Sequence, residues 1–153
     1  MTKTKEQFDR INRWFNLLND INNGIKHEKE SNYYQDIVYS FFQNCHHLKD
    51  WIVNDNNNNI PNKIVEEYIN ANLELKICAD LCNGSKHLFL KPQLARSDKN
   101  TNINKKAFSL ALPSNVLSIK YFVISGSVEY DAFEIATKCV NLWKKFLENN
   151  NII

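Results

Sequence analysis

The stretch SNYYQDIVYSFFQNCHHLKDWI, residues 31–52, decides the fold class. Tyr34, Ile37, Val38, Phe41, Cys45, Leu48 and Ile52 recur every three or four positions. One narrow sector of a helical wheel collects all of them, whereas a strand would scatter them over both faces. Ser31 suits the N-cap because its hydroxyl can accept from an early helical N–H. The spacing predicts a long helix after Ser31. Its opposite side holds Tyr39, Gln43, His46 and Asp50, and His47 lies on a flank with Ser40, Asn44 and Trp51.

Working outward, Phe8, Ile11, Phe15 and Leu18 keep helical spacing over residues 4–23, with Trp14 and Leu17 widening the stripe and Gly24 as the stop. The asparagine-rich run at 54–59 reads as a loop. Pro61 then fits the first turn of a third helix, whose inward positions are Ile64, Val65, Tyr68 and Ile69. A fourth helix over about 73–87 turns Leu75, Cys78, Ala79 and Cys82 to the core. Lys76, Asp80, Asn83 and His87 form a second, polar stripe on it.

Beyond His87 the period changes from helix to strand. Phe108, Leu110 and Leu112 alternate, residues 116–125 are rich in β-branched and aromatic side chains, and Pro113, Ser114 and Asn115 suit the turn between them. Residues 88–95 are expected as a third strand, held at an edge by Pro92. A last helix over about 131–148 faces Phe133, Ala136, Val140, Trp143 and Leu147 inward. Asp131 and Glu134 resemble a capping box, and Lys144 and Lys145 lie where the helix dipole favours cations. The expected fold is mainly α: a single domain over residues 1–153, a bundle of about five helices with a small antiparallel β element at about 88–125 before the C-terminal helix.

With 153 residues, 43% hydrophobic and 24% charged, the chain has the make-up of one globular domain, which excludes disordered, collagen-like and disulfide-scaffold classes. There is no apolar run of membrane-spanning length and no export-signal core at the N-terminus, so a cytoplasmic protein without a membrane partner is expected. Cys45, Cys78, Cys82 and Cys139 form no CxxC pair and read as small buried hydrophobes.

The formal net charge of +2 is unevenly spread. Lys86, Lys91, Arg96, Lys99, Lys105 and Lys106 face only Asp98 within residues 85–106. A basic segment on an otherwise mildly acidic chain can attract phosphate backbones, and equally can be a solvated loop.

The fourth helix ends LCNGSKH, residues 81–87. In a helical domain of this size, that ending resembles the HEPN family, whose signature is Arg, commonly followed by a polar residue such as Asn, three variable residues and His. Asn83 and His87 occupy the Asn and His positions, and Cys82 stands where the family has its arginine. The preceding CHHLKDW at 45–51 is consistent with the bundle partner of such a motif helix, and the resemblance covers residues 32–88, about a third of the chain. It implies a metal-independent ribonuclease working as a homodimer with two motif copies in one cleft, of the kind found in toxin–antitoxin, prophage and antiviral defence systems. RNA and a protein encoded in the same operon are the implied partners, and no cofactor is expected.

Cleavage of RNA without a metal needs a base at the ribose 2′-hydroxyl and donors for charge building on the phosphate. His87 is the candidate base and Asn83 the orienting group, with His46, His47, Asp50 and Asp80 as supporting polar residues. Cysteine lacks guanidinium's charged fork, so Lys86 or Lys76 would have to supply the cation at the Cys82 position.

Three other readings compete. Asn83 and His87, spaced i, i+4, can bond each other or cap a neighbouring helix, with Gly84 tolerated for close backbone approach or helix termination. His46 and Asp50 could ligate a metal with His47, His87 or a cysteine. Cys82 as a nucleophile lies about 140° round the helix from His87, so it would need His46 or His47 to reach across from the other helix. The contrasting functional class is a non-catalytic dimeric interaction or regulatory protein in which the Asn83/His87 motif is structural.

Overall fold

A computed structural model describes residues 2–23, 29–87, 92–97, 99–109 and 117–153. The fold is mainly helical with a small antiparallel sheet before the last helix, as the hydrophobic periods predict. In order come α1 (Lys3–Asn22), α2 (Ser31–Asn54), α3 (Asn62–Ala71), α4 (Leu73–His87), a single 3-10 turn (Pro92–Leu94), β1 (Thr101–Ser109), β2 (Leu117–Ser125), β3 (Val128–Asp131) and α5 (Ala132–Asn149). No helix among the described residues is long and apolar enough to cross a membrane.

The apolar sector of α2 is the spine of the core. Tyr34, Ile37, Val38, Phe41, Cys45, Leu48 and Ile52 are all buried, and so is Phe42. Ser31 is not the cap: Glu30 holds the N-cap position without a side-chain bond, and Ser31 begins the helix. Pro61 likewise precedes α3, whose N-cap it occupies. Val65 and Ile69 face the core as expected, whereas Ile64 is exposed.

The fourth helix differs most from expectation. Instead of an amphipathic surface helix, α4 lies between α2, α3, α5 and β1, and residues 77–82 are buried without a break. Asp80, on the predicted polar stripe, is therefore fully buried. Its carboxylate accepts from Arg96 N at 2.7 Å, from Ser97 N at 2.9 Å and from the Ser97 hydroxyl. A buried charge persists when donors of this kind satisfy it, and here they fix the connection that leads into the sheet.

The sheet has the order β1-β2-β3, antiparallel throughout. Among the described residues the third strand follows β2. Pro92–Leu94, in the segment expected as an edge strand, is a 3-10 turn, and residues 88–91 lie outside the described part. Ser125 pairs with Val128, leaving a two-residue turn. Gly126 at its first position has φ +61° while Ser127 has no positive φ, the pattern of a type II′ turn that closes a twisted hairpin. A side chain at Gly126 would also meet the Lys99 stem at 2.9 Å. Gly24 and the Pro113, Ser114, Asn115 turn lie outside the described residues, as do Leu110, Leu112 and Asp98.

Both ends of the bundle are tied by polar side chains. Asp131 caps α5, accepting from Phe133 N at 2.8 Å and Glu134 N at 3.2 Å. Asp55, just past α2, accepts from Thr4 N at 2.9 Å and Thr4 Oγ1 at 3.1 Å, so it caps the start of α1. Asn58 in the asparagine run donates to Ile52 O at 3.1 Å and to Thr4 Oγ1 at 2.6 Å. That run is part of the cap, not a bare linker.

Candidate functional site

Where the apolar contact between α2 and α4 ends, their outer flanks diverge into a polar cleft of about 560 Å³. Gln43, His46, His47, Lys49 and Asp50 of α2 form one wall, and Cys82, Asn83, Ser85 and Lys86 of α4 the other, with Arg96 entering from the connection after α4. Gln43 Nε2 donates to Ser85 Oγ at 3.0 Å, bridging the two walls, and Ser85 Oγ donates to Cys82 O at 2.8 Å.

Asn83 is half-buried and lines the cleft. His87, the last residue of α4, is exposed and is not among the lining residues. Among the described residues neither side chain has a hydrogen-bond partner, so they do not form the i, i+4 staple. Gly84 has no special backbone role: a Cβ there would meet Thr101 O at an ordinary 3.8 Å, and the helix continues past it.

His46 was expected on the outer side of α2, yet it is buried at the cleft wall. Burial, then the positive charges of Lys49 and Arg96, push its imidazole down to about 4. It is neutral at physiological pH and offers a hydrogen-bonding ring without charge. His47 is exposed and reaches across the cleft to Cys82, with Nε2 3.6 Å from Sγ. This is the cross-helix contact that a cysteine nucleophile would need. Burial, then the nearby Asp50 charge, raise the thiol to about 11, which disfavours the thiolate that a nucleophile requires.

Of the basic segment, the described side chains are those of Lys86, Arg96 and Lys99. Arg96 Nη1 bonds Glu66 Oε2 at 2.6 Å and Asn70 Oδ1 at 3.3 Å. Lys49 also reaches Glu66, at 3.5 Å, and Asp50, at 3.0 Å. The Arg96 hydrogen bond is the main reason the Glu66 carboxyl lies below its ordinary range. Lys86 stands at the cleft in the last turn of α4, whereas Lys99 is exposed beside Gly126. Lys105 and Lys106 lie on β1 opposite Tyr121 and Lys120, with side chains outside the described part, and Lys91 is outside it altogether. Asp80 supports the site indirectly, by anchoring the backbone that carries Arg96.

Two features of this cleft escape a reading of single elements. Lys49 and Glu66 are far apart in sequence and carry no motif, and only the α2–α3 packing makes them neighbours of Arg96. The polar stripe of α4 could be read, but not that the 96–97 connection would bury part of it. For metals, His46 and Asp50 recruit no third ligand among the described residues. Among the described residues, groups able to share an ion converge at one place, Cys45, Cys78 and Cys139. No protein-family model, curated protein or solved structure matches the chain.

Proposed function

We propose that the protein is a HEPN-like, RNA-associated protein of a bacterial or phage conflict system, and that the cleft between α2 and α4 is where it engages RNA. The observation that carries this reading is the placement of Asn83 and Lys86 on one wall opposite His46 and His47 on the other, in a single polar concavity. Neutral imidazole and amide groups can bond bases and ribose, and an ammonium at the rim can hold a phosphate.

In a catalytic version of this reading, His87 is the base or acid, and its exposure at the end of α4 suits a composite site made by two copies of the chain. Asn83 orients the reacting groups. The phosphate charge falls to Lys86, since Cys82 is a neutral thiol and Arg96 is engaged by Glu66. The non-catalytic version, a dimeric RNA-binding or regulatory subunit whose partner is encoded beside it, is favoured by that same shortage of free guanidinium.

One assay series separates them. The protein and its His87→Ala and Lys86→Ala variants are incubated with mixed RNA in EDTA and, in parallel, tested for RNA retention over a salt series. Cleavage that His87→Ala abolishes supports the ribonuclease. Retention without cleavage, with a salt slope shallower by about one in Lys86→Ala, supports the binding subunit. Neither cleavage nor salt-dependent retention by the wild type overturns both.

A further inference from the structure

The reverse side of the same helix pair holds a second cluster that the cleft does not use. Cys45 of α2, Cys78 of α4 and Cys139 of α5 bring their sulfurs within 4.8 Å of one another, and all three residues are at most 1% exposed. All four cysteines of the chain are free thiols. Two of the three are oriented by backbone carbonyls: Cys78 Sγ donates to Phe42 O at 3.2 Å and Cys139 Sγ donates to Glu74 O at 3.4 Å.

Small buried hydrophobes would need no more than this. The indole of Trp143 adds an observation that packing does not explain. It is 1% exposed, and its Nε1–H makes no hydrogen bond of ordinary geometry among the described residues, with only the weak Cys45 sulfur near it. It lies beside Cys45, the residue whose sulfur it could serve as a donor. A neutral thiol is a weak acceptor, whereas a metal-bound thiolate is a good one, so an ion in the cluster would satisfy a group that is otherwise orphaned.

The geometry points to a buried three-sulfur site in which Cys45, Cys78 and Cys139 hold one trivalent thiophilic ion, arsenic(III) or antimony(III), with the Trp143 N–H donating to the Cys45 sulfur. The coordination number follows from the donors. No His, Asp or Glu joins the three sulfurs among the described residues, so the fourth ligand of a structural zinc is missing. A trivalent ion with a lone pair is pyramidal, and bonds of about 2.3 Å then put the sulfurs about 3.5 Å apart, so from separations of up to 4.8 Å the three thiols must close in by as much as about 1.3 Å on loading.

Charge selects the valence. Three thiolates around copper(I) leave two net negative charges, and around zinc one, with a single N–H to offset them in an apolar core. A trivalent ion leaves none. Arsenite enters by condensation: three S–H groups and As(OH)3 give As(S-Cys)3 and three waters. Each thiol proton leaves on a hydroxide of arsenite, three As–O bonds break and three As–S bonds form, and nothing is oxidised or reduced. The ion would fasten α2, α4 and α5 together, and loading requires transient opening of the core.

The test uses the full chain, reduced and metal-free, titrated anaerobically with sodium arsenite and followed by intact-mass measurement under native conditions. The expected result is one arsenic per chain with three protons lost, and X-ray absorption showing three sulfur neighbours and no oxygen. Cys82→Ser should load as the wild type does. Cys78→Ala should lose at least about a hundredfold in affinity, and Trp143→Phe, which keeps every sulfur, about tenfold, as outer-shell donors do. Should Cys78→Ala fail to fold, the absorption spectrum of the wild type decides alone. A shell of two sulfurs and an oxygen, loading lost in Cys82→Ser, or tighter binding of zinc or copper(I) than of arsenite overturns the assignment.

Discussion

The inner and outer faces of the α2–α4 pair are one residue apart in sequence and opposite in chemistry. Cys45 is sealed among sulfurs and apolar side chains, His46 sits at the boundary as a neutral ring, and His47 stands exposed in a cleft of mixed charge. On α4 the step runs from Cys78 inside to Cys82 at the wall and Lys86 at the rim. The difference teaches that the same helix contact sets both environments. A truncation on the buried side should therefore cost far more than one on the cleft side.

That asymmetry gives the largest expected effect. Phe42→Ala removes a fully buried ring from α2 and should cost about 3–5 kcal/mol, whereas His47→Ala on the opposite flank should stay within about 0.5 kcal/mol. Urea denaturation of both variants measures the contrast. Similar losses for the two would mean that the cleft side carries the fold as much as the core does.

Next comes the residue that joins the two faces. Asp80→Ala leaves the Arg96 and Ser97 amides without their acceptor inside the protein, at a cost of about 3 kcal/mol. Hydrogen exchange at those two amides should accelerate more than exchange within α2. If they stay as protected as in the wild type, Asp80 does not anchor the wall that carries Arg96.

The polar end of α2 tests whether the wet side contributes to stability at all. Thr4 N–H first, and Asn57, hold the Asp55 carboxyl down at about 2 against 3.8 in the unfolded chain. Because the folded value is the lower, its contribution is fully present above about pH 4 and is lost as pH falls from 3.8 through 2. Asp55→Ala should cost about 1–3 kcal/mol at pH 7 and flatten the acid limb of the stability profile, read from melting temperatures between pH 2 and 5. An unchanged acid limb would move that titration elsewhere.

How much of this was legible depended on whether a residue's neighbours lay in its own element. The helices and the inward rows of α2 and α5 follow from period alone, because each row is complete within one segment. The α4 row misled, since Asp80 reads as polar surface until a connection sixteen residues on folds over it. The third strand escapes the sequence for a local reason. Residues 88–95 carry an extended pattern, while the turn that makes β2 and β3 a hairpin is signalled by little more than a lone Gly126. At the candidate site Asn83, Lys86, His46, His47 and Asp50 do gather, His87 lies apart, and the Glu66 clamp on Arg96 was invisible because no spacing links them.

That clamp supplies the smallest expected change in stability and the sharpest test of the outer face. Arg96 and Glu66 are both partly exposed, so their pairing should be worth no more than about 1 kcal/mol. Glu66→Gln therefore barely moves the unfolding midpoint. It does remove a carboxylate that binds Arg96 and Lys49 together, leaving two cations at the cleft with less competition. If the cleft takes phosphate, RNA retention by Glu66→Gln should rise several-fold at low salt, its salt slope should steepen, and adding Arg96→Gln should cancel the gain. A gain that survives Arg96→Gln would put the phosphate on Lys49 or Lys86, and no gain at all would mark Arg96 as a structural strut between α3 and the connection, leaving the cleft to partners that carry no phosphate.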